Sequence, residues 1–426
     1  MPTARILRAR RRILQIDYVY PLTLSHFTLT NCLGSGVAAT RQALLDGRSG
    51  LTHCRVEDGG TQAGDASGGG FETYVGEVRN LANLPLPEPW RNWDCRNNRL
   101  AFHALQQDGF AGHVRAAAER YGALRIGTFI GTSTSGIRET EEAYTRRLPD
   151  GALPDSFRYR EAHASFSAAD FVRTVLQLRG PAAAISTACS SSAKVFATAA
   201  RMMHAGLIDA AVVGGVDTLC RTTLFGFRSL ELTAASPCRP FDRDRAGISV
   251  AEAGAFALLE RVGTSPRDGE IQLLGSGESS DAYHMSTPHP DGLGARIAME
   301  AALASSGLDA NDIDYVNLHG TGTRTNDAAE DRAVTALFGS RVPCSSTKGA
   351  TGHTLGAAGA VEFVIGALAI ESQVLPGGVT TEHQDPELHC QFLRTAQPGR
   401  VRRVISNSFG FGGSNCALVL GARGIP

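Results

Sequence analysis

A strand, a Ser/Thr-rich turn, a helix of small residues and a closing glycine-rich strand pair occur in that order twice along this chain. In the first half ISTACSSSAKVFATAA supplies the strand, turn and helix, and RAGISVAEAGAFALLERV closes the unit. In the second half CSSTKGATGHTLGAAGAVEFVIGALAI and ISNSFGFGGSNCALVLGAR take the same parts. Duplicated α/β halves around a shared site are the simplest structure with this repeat. The polar, turn-rich RVGTSPRDG at residues 261–269 marks the seam, placing the halves at residues 1–265 and 266–426. RIGTFIGTS, AAISTAC and DAAVVGGVD read as strands, and GVAATRQALLDG and SAKVFATAARMMHAG as helices. Their alternation predicts a parallel sheet with helices packed on it.

A chain of 426 residues can bury a large core, and 48 glycines suit close backbone approaches. A net charge of -1 offers no general attraction to nucleic acid or an anionic membrane, so a charged partner must be met by a local patch. No apolar run is read as approaching the roughly 18 to 20 residues that span a bilayer. Nine cysteines without a CxxC pair argue against a disulfide framework and for a reducing, cytoplasmic setting. The basic, acid-poor ARILRARRRILQ at residues 4–15 lacks the apolar stretch of a secretory signal and reads as a misassigned start or a disordered arm, with a targeting segment as the alternative. The segments VEDGGTQAGDASGGG and TRRLPDGALPDSFRYREAH read as surface excursions. Lysine occurs only at Lys194 and Lys348 among 41 basic residues, so each lysine draws notice.

Cys189 falls between the strand pattern AAIST and the helical pattern SSSAKVFATAARMM, which places it at or near a helix N-terminus. There the unpaired N–H groups favour an anion, and a thiol pKa of about 8.5 can fall towards neutrality. A small buried thiol with no chemical role is the alternative. Candidate partners lie downstream: His319 in YVNLHGTGTRTND directly follows an apolar strand, and His353 in SSTKGATGHTLGAAGAVE precedes a helix so rich in Ala and Gly that something must pack closely against it. Strand-end loops are where α/β folds keep their sites. SNSFGFGGSN is a third glycine-rich strand end, with Phe409 and Phe411 its only bulky groups, suited to aiming backbone N–H groups at a reacting carbonyl.

TACSSSAK, RPFDRDRAGISVAEAGAF, HGTGTRTND, STKGATGHTLGAAGAVE and SNSFGFGGSN, in this order, resemble the elongating β-ketoacyl-acyl carrier protein synthases of thiolase fold. The resemblance implies a layered α-β-α-β-α core and a Cys-His-His site. Cys189 is then the acyl-accepting nucleophile, and His319 and His353 bind and decarboxylate a malonyl thioester. Lys348 matches the family's active-site lysine, with Glu362 its ion-pair partner. Phe411 matches the gating phenylalanine, whose N–H joins that of Cys189 in an oxyanion hole. Thr321 and Thr323 match the threonines that hold the phosphopantetheine arm, and Thr134 and Phe409 fall at the acyl pocket. No metal or redox cofactor is implied; the substrates are thioesters on the phosphopantetheine of acyl carrier protein.

The acidic carrier protein would dock on arginines, with Arg228 matching a docking position and Arg146, Arg147 and Arg221 as weaker candidates. The family pairs subunits, so a homodimer or a heterodimer with a chain-length-factor-like homologue is expected. A non-condensing chain-length factor characteristically lacks the nucleophile, whereas Cys189, His319, Lys348 and His353 are all present. A degradative thiolase would need a C-terminal cysteine base, and Cys416 sits inside a closing strand pattern. Two departures stand out: LELTAASPC is shorter than the corresponding loop of fatty-acid synthases, and LTLSHFTLTNCLGSG lacks the usual glycine-rich opening. The GTSTSG version of the segment around Thr134 also resembles synthases of aryl polyene pathways, where a small polar residue would admit a long, slender chain.

Overall fold

The computed structural model describes residues 21–57, 70–263 and 268–423. The basic segment at 4–15, most of the glycine-rich segment at 56–70 and the centre of the seam lie outside the described residues. The first half gives the main sheet β1 (Leu22–Asn31), with the two-residue strand Gly34–Ser35 paired to it, β2 (Ile126–Gly131), β3 (Ala182–Ile185), β4 (Ala210–Asp217) and β5 (Ala253–Arg261). The second gives it β6 (Ile271–Ser280), β7 (Tyr315–Asn317), β8 (Pro343–Ser345), β9 (Gln391–Phe392), β10 (Arg403–Gly410) and β11 (Ser414–Ala422).

The halves share one connectivity. The first runs β3-β2-β4-β5-β1 across the sheet and the second β8-β7-β10-β11-β6, the same order counted from each half's own start, with β9 added outside β8. The directions match as well. β2 is parallel to β3 and β4, and β5 is antiparallel to β4 and β1. β7 is parallel to β8 and β10, and β11 is antiparallel to β10 and β6. The pairing of Leu22 with Leu273 and Thr23 with Gln272 joins β1 to β6, making one 12-stranded mixed sheet.

The helices include α1 (Arg96–Leu105), α2 (Phe166–Val175), α3 (Ser191–His204), α4 (Arg221–Ser229), α5 (Leu293–Ser306), α6 (Arg324–Phe338) and α7 (Ala358–Ser372). α3 and α7 touch strands of both halves and each other, and so form the middle layer. α1 and α2 cover the outer face of the first half; α5 packs on the outer face of the second, with α6 against it. The result is the α-β-α-β-α layering, with one hydrophobic cluster around the central helices and one under each outer helix pair.

The small residues of α3 and α7 are there for contact. A Cβ on Gly359 would lie 2.5 Å from the backbone nitrogen of Ala193, so the helices meet backbone to backbone at their N-terminal ends. Further along, the rings of Phe196 and Phe363 stand 4.1 Å apart, a pair contributing about 0.5–1.5 kcal/mol beyond its buried area. Burial on every side also corrects one sequence expectation. Residues Leu355–Ser372 have a mean hydropathy of 1.5 over 18 residues and do reach membrane-span composition, because 89% of this stretch is buried inside the protein and needs no polar face.

Candidate active site

Cys189 lies in the turn between β3 and α3 and is 6% exposed. The residue before it, Ala188, has φ +52°, a left-handed conformation that costs a residue with a β-carbon about 1–2 kcal/mol. The surrounding hydroxyls hold that turn. Ser191 Oγ donates to the Ala188 carbonyl at 2.5 Å and accepts from the Thr187 N–H at 2.9 Å, while Ser190 Oγ donates to the Thr187 carbonyl at 2.9 Å. The Ser/Thr cluster around the cysteine is therefore turn chemistry that presents the thiol.

α3 begins at Ser191, so Cys189 stands before its first turn. The expected fall in its pKa does not occur: burial pushes the thiol up to about 12, against the opposing pull of the Lys348 charge and of a hydrogen bond from the Phe411 N–H. The resting group is a thiol.

His353 occupies the matching place in the second half, ahead of α7, with Nε2 3.1 Å from Cys189 Sγ. Its Nδ1 accepts the N–H of Leu355 at 3.2 Å. A neutral imidazole that accepts at Nδ1 carries its proton on Nε2, which makes His353 a donor towards the thiol. His319 follows β7, and its ring meets that of His353 edge-on at 5.4 Å. Lys348 Nζ, a donor only, lies 3.4 Å from His319 Nδ1 and 2.5 Å from the His319 carbonyl, so His319 too carries its proton on Nε2. Burial, then the Lys348 charge, holds both imidazoles well below their ordinary pKa, and both rings are neutral at neutral pH.

Lys348 is 1% exposed and pairs with Glu362, whose carboxyl burial raises against the pull of the lysine. The reactive atoms of Cys189, His319 and His353 lie within 4.8 Å of one another, a spacing that three metal ligands could share. With protons on both Nε2 atoms the set is arranged to donate hydrogen bonds instead.

A cleft of about 590 Å³ opens on this trio and is lined by Thr321, Thr323, Phe409 and Phe411 as well. The hydroxyls of Thr321 and Thr323 are 2.9 Å apart, and the Phe409 ring stands 5.9 Å from His319. The structure thus brings together Cys189, His319, His353, Lys348, Glu362, Thr321, Thr323, Phe409 and Phe411. Thr134 does not line the cleft within this one chain; its hydroxyl donates to Asp217 Oδ1 at 2.7 Å. Arg228 is exposed, beside the cleft-lining Phe227, with its guanidinium 5.5 Å from the Phe71 ring. Arg146 pairs with Glu142 at 3.2 Å, Arg147 donates to the Gly151 carbonyl at 3.1 Å, and Arg221 lies 5.7 Å from the Phe225 ring. Cys416 is buried within β11 and does not line the cleft.

Sequence reading missed Phe227, whose ring stands 5.8 Å from Phe411 across the cleft, and Glu330, which accepts the N–H groups of His319 at 2.8 Å and Gly320 at 2.7 Å. A signal existed for Phe227 in the FGF triplet at residues 225–227, the same three residues as at 409–411. None marked Glu330, one of several acids on a helix that reads as exposed.

Comparison with known proteins agrees with this geometry. Residues 98–264 match the family described as beta-ketoacyl synthase, N-terminal domain, and residues 271–382 its C-terminal domain. The chain is 41% identical over 425 residues to the mitochondrial 3-oxoacyl-[acyl-carrier-protein] synthase of Arabidopsis thaliana, covering 91% of this chain and 90% of that one. It is 35% identical over 306 residues to nodulation protein E of Rhizobium meliloti, covering 70% of this chain and 75% of that protein. Among solved structures, a ketosynthase in complex with its chain length factor from Xenorhabdus doucetiae superposes with a TM-score of 0.84 at 39% identity, covering 95% of this chain and 98% of that one. The chain belongs to the β-ketoacyl synthase family and is a carbon–carbon bond-forming acyltransferase that elongates acyl chains.

Proposed function

We propose that Cys189 carries the growing acyl chain and that His319 and His353 drive decarboxylation of malonyl-acyl carrier protein. The observation that supports this is the pair of Nε2–H donors, oriented by Lys348 and by the Leu355 N–H, converging beside one buried thiol. In loading, Cys189 Sγ attacks the carrier-bound thioester, the tetrahedral intermediate collapses, and the phosphopantetheine thiol leaves with the proton the cysteine gave up. No net proton transfer is needed, so a resting thiol is compatible with exchange. In the second step the carboxylate–methylene bond of malonyl breaks, carbon dioxide departs, and the electron pair enters an enolate whose oxygen accepts from the two imidazole N–H groups. The α-carbon then attacks the acyl carbonyl on Cys189, the Phe411 N–H receives the developing oxyanion, and the cysteine thiolate is expelled and takes one proton from solvent to return to the resting thiol. The β-ketoacyl product stays on the carrier protein.

The protein takes its substrates as phosphopantetheine thioesters, held at Thr321 and Thr323, and adds no cofactor of its own. Exposed Arg228, one residue from the cleft wall, is the docking site for an acidic carrier. A chain-length-factor-like homologue or a second copy completes the assembly; the complex of the Xenorhabdus doucetiae ketosynthase with its chain length factor supports the first. The resemblance around residues 131–136 supports a long, unsaturated aryl polyene-type chain over a housekeeping fatty acid. The working halves are residues 1–265 and 266–426, and the setting is cytoplasmic. Mass spectrometry of the acyl group trapped on Cys189 after incubation with carrier-bound primers of varied length and unsaturation tests the assignment. Conjugated polyenyl chains are the expected adduct; saturated medium chains alone would remove the polyene reading, and no adduct would remove the nucleophile.

A further inference from the structure

Asp217, the last residue of β4, is fully buried and figures in none of the steps above. Every hydrogen bond described for its carboxylate comes from a backbone N–H or a threonine hydroxyl, in two groups. Oδ1 accepts from Thr132 Oγ1 at 2.7 Å, the Ser133 N–H at 2.8 Å, the Thr134 N–H at 2.8 Å and Thr134 Oγ1 at 2.7 Å, all from the loop after β2. Oδ2 accepts the Gly356 N–H at 2.6 Å, with a longer contact to the Ser133 N–H at 3.0 Å. Gly356 belongs to the turn between His353 and α7. Nothing but glycine fits there: a Cβ would lie 2.7 Å from Ser133 Oγ and 2.8 Å from Asp217 Oδ2.

The residue before Gly356, Leu355, has φ +53°, a conformation that a leucine holds only when its surroundings over-determine it. That same leucine donates its N–H to His353 Nδ1. A continuous path therefore runs from the carboxylate through the Gly356 N–H, the strained Leu355 and its N–H to the imidazole, and ends at Nε2 beside Cys189. The loop held by Oδ1 reaches the nucleophile too, since Ser133 Oγ donates to the Ala188 carbonyl at 3.4 Å. We propose that Asp217 is a positioning residue that clamps the 353–356 turn, fixing the Nε2–H tautomer and ring direction of His353. Its catalytic consequence rests on the decarboxylation role given to His353; the clamp itself does not.

Asp217→Asn separates the two groups of donors. An asparagine can keep its oxygen on the four donors after β2, which turns its amide nitrogen towards the Gly356 N–H, donor against donor. The turn then loses its acceptor, Leu355 relaxes, and His353 is free to exchange tautomers. The test is nitrogen NMR of the full-length protein labelled with 15N-histidine, with His353 assigned by its absence in His353→Ala. In the parent protein His353 should give a single Nε2–H pattern, and in Asp217→Asn an averaged mixture, while His319, held by Lys348, stays unchanged. In a Cys189→Gln background, Asp217→Asn should lower kcat for malonyl-carrier decarboxylation at least tenfold with KM little altered.

Thr132→Val removes one donor from the Oδ1 side and leaves Gly356 in place, so it should not move the His353 signal. An unchanged tautomer in Asp217→Asn overturns the clamp, as does a matching shift in Thr132→Val or a simultaneous loss of the His319 pattern. A shifted tautomer in a protein whose Cys189→Gln parent never decarboxylates upholds the clamp and refutes the reaction scheme instead.

Discussion

The two halves of this molecule are built alike and do different chemistry. Each sends a third strand into a central helix whose N-terminal end faces the same cleft. In the first half β3 passes almost directly into α3, and the only reactive group at the junction is Cys189. In the second, residues 346–357 intervene between β8 and α7 and carry Lys348 and His353. A duplicated scaffold thus supplies two equivalent helix entrances, and the length of the loop before each decides what it holds: a short turn presents a buried thiol, a longer one has room for a buried cation and an oriented imidazole. Burial does the rest. It keeps the cysteine protonated and the histidines neutral, which under the proposed scheme leaves hydrogen-bond donation as their means of action.

Breaking the first half should have the largest effect. Cys189→Ser is expected to abolish acyl loading and condensation, read as loss of the acyl adduct and of β-ketoacyl product, whereas Cys189→Gln should leave malonyl decarboxylation running without condensation. Condensation at the parent rate in either variant would end the assignment. Next come the imidazoles of the second half. His319→Ala and His353→Ala should each slow decarboxylation by about 10²- to 10³-fold, or about 3–4 kcal/mol, the usual loss for one donor to a developing oxyanion. Retention of decarboxylation by both variants would refute the carbanion scheme.

Lys348→Met tests whether the second half also depends on its buried pair. Glu362 would be left uncompensated, at a cost of about 3–5 kcal/mol in stability, measurable by urea denaturation. Lys348→Met combined with Glu362→Gln should recover much of that stability and leave decarboxylation impaired, because His319 Nδ1 still lacks its donor. Recovery of activity along with stability would make the lysine structural only.

Smaller still, Arg228→Glu should raise KM for carrier-bound substrates several-fold and leave decarboxylation of a malonyl thioester without carrier protein unchanged. The smallest effect concerns pH. An exposed imidazole titrates near 6.5, but both histidines here sit well below that value, so protonation starts only as pH falls through their lowered pKa values. Decarboxylation by Cys189→Gln should therefore stay flat from pH 8 to below 6.5. A half-maximal rate near 6.5 would show a solvated ring.

Much of this was legible in the sequence because the chemistry sits in contiguous runs. Cys189, His319, Lys348, His353 and Phe411 each lie in a short segment with its own glycines and hydroxyls, and the repeat of those segments indicated the duplication. Thr134 shows the limit. Its place in the chain ties it to the acyl pocket of the family's dimer, but nothing local foretells that Asp217, from a neighbouring strand, accepts from its hydroxyl. Glu330 is the converse: it sits among other acids on α6, and only its burial beneath His319 separates it from a solvated charge.

The amino-acid order by itself determined which groups stand at the strand-end turns: the Cys189 thiol, the His319 and His353 imidazoles, a rare lysine, and two copies of a strand–turn–helix unit to carry them. Such information is local, because turn chemistry and periodicity depend on residues a few places apart. Protonation states, tautomers and partners were decided only by the tertiary structure. The Cys189 thiol stays protonated because burial disfavours its charged form, and the histidines present Nε2–H because Lys348 and Leu355 approach them from the other side. These outcomes depend on which groups from distant segments share a low-dielectric space, and that proximity exists only once the two halves have closed around α3 and α7.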